Sequence, residues 1–141
     1  MGNNQSSNIS YISFEDVQIC WKNPEVYLLI NTFPINDQGC LILNTVSHLH
    51  EENIINRHLN NSSGVKIVIY GKNSSDETLH KKYYQLQNLG FSNVHVYLGG
   101  LFEWLLLQDI YGAEDFPTTS KQLDILKYKP YKKLDIGLIT N

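Results

Sequence analysis

Apolar residues in this chain come in short unbroken runs, separated by stretches in which they recur every three or four positions. The runs at 26–32 and 40–46 lack the polar alternation of a half-exposed strand, so each predicts a strand buried on both faces, and 65–71 and 94–98 predict two further strands. Between them the spacing is helical. Phe14, Val17 and Trp21 predict a short helix opened by Ser13 and Asp16 as an N-cap pair and ended by Pro24. Residues 48–61 repeat Leu49, Ile54, Ile55 and Leu59 before the terminator Asn60-Asn61-Ser62-Ser63-Gly64. Leu79, Tyr83, Leu86 and Leu89 predict a third helix that stops at Gly90, and Gly99-Gly100 opens a fourth, strongly apolar one. Strands alternating with helices in this way predict an α/β fold, with a mainly parallel central sheet flanked by helices on both faces.

The ends have a different character. Residues 1–9 are small, polar and without period, which predicts a flexible arm, and 10–119 carry the folded domain. Residues 120–141 are a lysine-rich tail that either lies over the domain or hangs free. Charge follows the same division: residues 1–119 hold 6 Lys/Arg against 12 Asp/Glu, and residues 120–141 hold 5 Lys against 2 Asp. An acidic body without clustered basic residues argues against nucleic acid as a partner. The longest apolar run is the five residues from Val26 to Ile30, far short of the roughly 20 that span a bilayer. The opening residues lack the basic and apolar regions of a secretory signal, so the expected location is cytoplasmic. Cys20 and Cys40 are then expected as reduced thiols, and no metal or cofactor motif accompanies them.

In open α/β sheets ligands gather where strand carboxyl ends lead into helix amino ends, which here singles out Gly71 to Thr78. The residues around that loop carry a resemblance. Gly90-Phe91, Asn93-Val94, Gly99-Gly100 and Trp104, in that order after a strand, loop and helix, resemble the second half of a rhodanese-like domain. The resemblance covers residues 10–119 and implies the rhodanese-like arrangement of the α/β fold. Its first half departs from the family. Asn31-Thr32-Phe33 stands where members often have Asp-x-Arg, and Gly39-Cys40-Leu41-Ile42-Leu43-Asn44 where they often have Gly-His-Ile-Pro-Gly-Ala.

The larger departure is in the loop. Active rhodaneses place a cysteine directly after the strand, its thiolate accepting sulfur, and the related cell-cycle phosphatase branch also needs Cys and Arg there. This chain has Gly71 at that position, and Lys72, Asn73, Ser74, Ser75, Asp76 and Glu77 supply neither residue. Asp76 and Glu77 are expected in the first turn of the next helix, on a solvated turn, where they would occupy its positive end and repel an anionic substrate. The expectation is a catalytically degenerate member acting as a binding or regulatory module for an unidentified protein partner. An alternative is a sulfur carrier using Cys40, which otherwise reads as a small buried hydrophobe, as Cys20 does; a second is a structural component of a larger assembly. His48 and His50 beside Glu51 and Glu52 read as a polar connection rather than a metal site.

Met1-Gly2 with Ser6 fits the pattern for N-myristoylation at Gly2. One acyl chain holds a membrane marginally, so a tether would need a second signal, for which Lys121, Lys127, Lys129, Lys132 and Lys133 are candidates.

Overall fold

Parallel pairing organises the molecule. In the computed structural model, which describes residues 8–61 and 64–134, β1 (Ser10–Ile12), β2 (Tyr27–Asn31), β3 (Lys66–Tyr70) and β4 (Val94–Tyr97) form a sheet. Its order is β1-β4-β3-β2 and every pair is parallel. Helices α1 (Phe14–Lys22), α2 (Glu51–Asn61), α3 (Thr78–Leu89) and α4 (Gly100–Tyr111) connect or follow the strands, and a 3-10 turn spans Ile125–Tyr128. Alternation along each strand sorts the core into two halves. Ile67 and Ile69 of β3 pack with Ile55, Leu79, Tyr83 and Leu86 of α2 and α3. Val68 and Tyr70 face the other way, onto Val17, Cys20, Leu101 and Trp104 of α1 and α4. Helices therefore cover both faces, as the continuous apolar runs require.

Local signals set the helix ends. The Asp16 carboxylate accepts the Ser13 N–H at 2.9 Å and its hydroxyl at 3.2 Å, which fixes the start of α1. Gly90 closes α3 at φ 115, a conformation a side chain would resist, while its N–H bonds the Gln87 carbonyl at 2.9 Å.

Two expectations are corrected, and one strand is added. Residues 40–46 do not form a regular strand: Thr45 bridges Leu29 in parallel and Ile42 bridges Thr118 antiparallel, each in isolation. Asn44 adopts φ 67, and the turn it makes, with Thr45 N–H on the Ile42 carbonyl at 3.1 Å, breaks the ladder. Cys40, Leu41 and Ile42 are still buried, so the run reported burial and not pairing. The second helix begins at Glu51 rather than at 48, which leaves His48 and His50 in the preceding turn and Leu49 exposed. β1, three residues long and paired with β4, lies where the folded domain was expected to begin, but no strand was expected there.

Beyond Thr119, residues 120–134 run across the same face as α1 and α4. The Ser120 hydroxyl bonds the Gly39 carbonyl at 2.7 Å, and Tyr128 is buried in the core. Gly2 lies outside the described residues.

Candidate functional site

Strand β3 delivers Gly71 to the carboxyl edge of the sheet, beside the chain leaving β2, where Thr32 N–H bonds the Tyr70 carbonyl at 3.0 Å. The loop from 71 to 77 is not the solvated turn expected of it: Gly71 and Asn73 are buried. Nor do the acids sit in the first turn of α3, which begins at Thr78. Asp76 folds back into the loop instead. One carboxylate oxygen accepts the Lys72 N–H at 2.9 Å; the other accepts the Thr78 N–H at 3.0 Å and the Thr78 hydroxyl at 2.6 Å. The Thr78 oxygen is also 2.7 Å from that of Thr32.

That carboxylate takes the space of a side chain at position 71. A Cβ built on Gly71 would stand 2.9 Å from Asp76 Cγ and 2.9 Å from Thr32 Oγ1, and closer still to Asp76 Oδ2. The position thus lacks a nucleophile and also lacks room for one. An amide that could face a bound anion, the Lys72 N–H, is already satisfied by an anion belonging to the chain.

The amino end of α4 is committed in the same way. Its free N–H groups would ordinarily attract a ligand. Here the Leu101 N–H bonds the Gly71 carbonyl at 3.0 Å and the Phe102 N–H bonds the Lys72 carbonyl at 2.9 Å. This close approach depends on Gly100, which has φ 65 and whose Cβ would come within 2.6 Å of the Gly71 oxygen.

The chain after Thr119 completes the site. Tyr128 stacks on Phe33 with ring centroids 6.0 Å apart and planes 20° from parallel, and its carbonyl accepts the buried Asn73 amide at 2.8 Å. Asp37 lies between Lys72 at 3.7 Å and Lys127 at 3.5 Å. A groove of about 560 Å³ remains, lined by Phe33, Pro34, Lys72, Asp76, Lys129 and Tyr131 among others. Ser75 and Glu77 also line it and are exposed, as is Ser74 beside them in the loop. Lys127 and Lys129 also line this groove, whereas Lys121 lines a different cavity against α4 and Lys132 and Lys133 point to solvent.

Sequence reasoning gave no role to Gln38 or Tyr128, and named Asn31 only as a departure from the family pattern. Asn31 is buried and exchanges hydrogen bonds with Gln38 at 3.0 and 2.9 Å, while its side-chain oxygen accepts the Phe33 N–H at 2.9 Å. That pair shapes the turn carrying Thr32 and Phe33 into the site. Cys40 is buried, with its thiol 3.5 Å from the Ser120 carbonyl, and burial pushes it above its ordinary pKa. Cys20 is buried under α1, where desolvation and the nearby Asp16 push its thiol up to about 12.

Residues 41–107 match the family model for the Rhodanese-like domain. Among solved structures, the BH2092 protein from Bacillus halodurans aligns at TM-score 0.56 and 18% identity, over 73% of this chain and 74% of its own. A protein from Lactobacillus plantarum aligns at 0.54 and 16% identity, over 70% and 83%. The Alr3790 protein from Anabaena sp. aligns at 0.51 and 16% identity, over 82% and 84%. At such identities the likeness is one of fold. No curated protein matches the chain in sequence.

Proposed function

We propose, from the premise that this chain carries a rhodanese-like domain, that it serves as a binding or regulatory module and does not transfer sulfur at the loop after β3. The observation that carries this reading is Asp76, whose carboxylate lies where a side chain on Gly71 would have to be and holds the Lys72 N–H. A sulfur-accepting loop needs a thiolate and free donors around it. This one has glycine, a resident carboxylate and an α4 amino end bonded to loop carbonyls. What remains is a rigid platform, held by Tyr128 and Asn73, with a groove edged by lysines and aromatic residues for a protein partner. The test is sulfur transfer from thiosulfate or mercaptopyruvate to cyanide by purified protein. Background rates are expected, and turnover that survives removal of Asp76 and Lys72 would show that the loop is not the relevant site.

Tethering at Gly2, on the cytosolic face of a membrane, belongs to the same proposal. It rests on the Met1-Gly2 to Ser6 pattern and on the exposed Lys132 and Lys133. Protein made in a eukaryotic host is expected to gain about 210 Da on Gly2, the mass of a myristoyl group. An unmodified Gly2 would remove the tether and leave the module. The geometry does not favour Cys40 as a sulfur carrier, because the thiolate is the reactive form and burial suppresses it. No adduct of about 32 Da on Cys40 is expected after incubation with thiosulfate.

A further inference from the structure

At the opposite, amino edge of the sheet a serine, a histidine and an asparagine form a hydrogen-bonded relay. Ser10 opens β1, and its register partner on β4 is His95. The Ser10 hydroxyl oxygen is 2.6 Å from His95 Nδ1, and His95 Nε2 is 2.6 Å from the Asn93 side-chain oxygen. An amide oxygen can only accept, so Asn93 places the imidazole proton on Nε2 and leaves the Nδ1 lone pair directed at the serine hydroxyl. Nucleophile, base and orienting group are thus within hydrogen-bond reach of one another. His95 and Asn93 also line a cavity of about 350 Å³ whose apolar wall includes Ile12, Ile19 and Val68.

We propose that Ser10 is a nucleophile activated by His95, and that the adjoining cavity takes a small acyl ester. This goes beyond the reading of the loop and is independent of it.

The groups facing His95 fit the role. Asp16 on α1 favours the imidazolium, supplying the negative charge that an amide orienting group lacks. Lys66 on β3 opposes it and lines the same cavity, its ammonium lying over the Tyr27 ring at 5.5 Å. The Cys20 thiol and Tyr27 complete the wall. Burial holds His95 below its ordinary pKa of 6.5, so at neutral pH the ring is uncharged and able to take a proton. As the Ser10 oxygen bonds the acyl carbon, its proton passes to His95 Nδ1 and the carbonyl electron pair moves onto oxygen. That pair re-forms the carbonyl as the bond to the leaving alkoxide breaks, and His95 protonates the alkoxide. Water then attacks the acyl-serine in the same manner, returning free Ser10 and a carboxylic acid.

The full chain is treated with an alkyl fluorophosphonate, which serine nucleophiles displace with loss of fluoride, and is followed by intact mass and peptide mapping; p-nitrophenyl acetate serves as the turnover substrate. One adduct on Ser10 is expected, absent in Ser10→Ala. Labelling should slow about a hundredfold in His95→Gln, and Asn93→Ala, a positioning change, should shift the pH midpoint of labelling. In the unaltered protein the rate should fall on the acid side of the ordinary imidazole range, because burial lowers the His95 pKa. No adduct on the folded protein, an adduct on a tyrosine instead, or unchanged Ser10 labelling in folded His95→Gln overturns the proposal. Should that variant not fold, a labelling rate that shows no fall with acidification down to the pH at which the protein unfolds overturns it.

Discussion

Gly71→Cys restores the residue type that active rhodaneses carry at this position, and it should destabilise the protein. Gly71 is absent from the positive-φ glycines, so the constraint is space and not backbone conformation. The new Cβ would meet the Asp76 carboxylate and the Thr32 hydroxyl, the latter at 2.9 Å. Overpacking of this kind costs about 1–3 kcal/mol. Displacing Asp76 also breaks its bonds to the Lys72 N–H, the Thr78 N–H and the Thr78 hydroxyl. Hydrogen bonds to a charged group contribute about 1.5–3 kcal/mol when buried, and Asp76 is half-exposed, so about 1 kcal/mol in total is a fair share. Replacing glycine stiffens the unfolded chain and returns about 0.4–1 kcal/mol. The net loss is about 1–3.5 kcal/mol, read as a drop of roughly 0.5–2 M in urea midpoint at an m-value of about 2 kcal/mol/M. The double variant Gly71→Cys/Asp76→Gly removes the collision with the carboxylate and leaves only that with Thr32, so its loss should fall short of the sum of the single losses by about 1 kcal/mol. A Gly71→Cys protein as stable as the parent, or a double variant that is merely additive, would refute the assignment of Asp76 as the occupant of that space.

Three further outcomes follow from the same geometry. Gly100→Ala should cost more than about 2 kcal/mol in chemical denaturation, because its Cβ would meet backbone of the loop, which cannot swing away, and its φ of 65 is strained for alanine. Tyr128→Ala should cost about 3–5 kcal/mol as a buried aromatic truncation and loosen the segment whose main-chain carbonyl at 128 accepts the Asn73 amide; faster exchange of the Ser75 N–H, which Asn73 holds at 2.8 Å, is the local sign to seek. His95, held below its ordinary 6.5 by desolvation, binds fewer protons folded than unfolded just below that value. Stability should therefore rise with pH through that window and be lost as pH falls from about 6.5, and His95→Gln should flatten this part of the profile.

The sequence conveyed burial better than pairing. The runs at 26–32, 65–71 and 94–98 became β2, β3 and β4 because nothing inside them interrupts the extended backbone. The run at 40–46 looks the same on paper, yet Asn44 at φ 67 turns the chain, and the apolar residues before it pack against 116–119 rather than joining the sheet beyond single bridges. β1 was illegible for another reason: three residues carry no period, and what makes them a strand is β4, some 85 positions away. The loop was legible in what it lacks and not in what fills it. Asp76 turns inward because Gly71 leaves a space five residues upstream and Thr78 offers both its N–H and its hydroxyl. The Asp-x-Thr spacing at 76–78 was a signal for the second half of that arrangement. Tyr128 carried no such signal, since an aromatic flanked by Lys127 and Lys129 reads as surface until Phe33 and Asn73 are placed beneath it.

The coupling between positions 71 and 76 changes what the missing cysteine means. Were the space beside Gly71 open, one substitution would restore a thiol at the end of β3, and the loop would be an active loop lacking only its sulfur. The space is closed by a carboxylate that also caps α3 through the Thr78 N–H. Removing that carboxylate to admit a cysteine also removes the cap, and leaves the Lys72 and Thr78 amides without their acceptor. The α4 amides cannot compensate, because they hold the Gly71 and Lys72 carbonyls. Each of these bonds stabilises the loop in a shape set by its own atoms rather than by an incoming ligand. A loop so satisfied gains little from binding an anion at its centre, whereas its outer edge keeps Lys72, Lys129 and Tyr131 along a groove. The same bonds stiffen the loop, and under the proposed binding role that stiffness would lower the ordering cost of docking a partner at that edge.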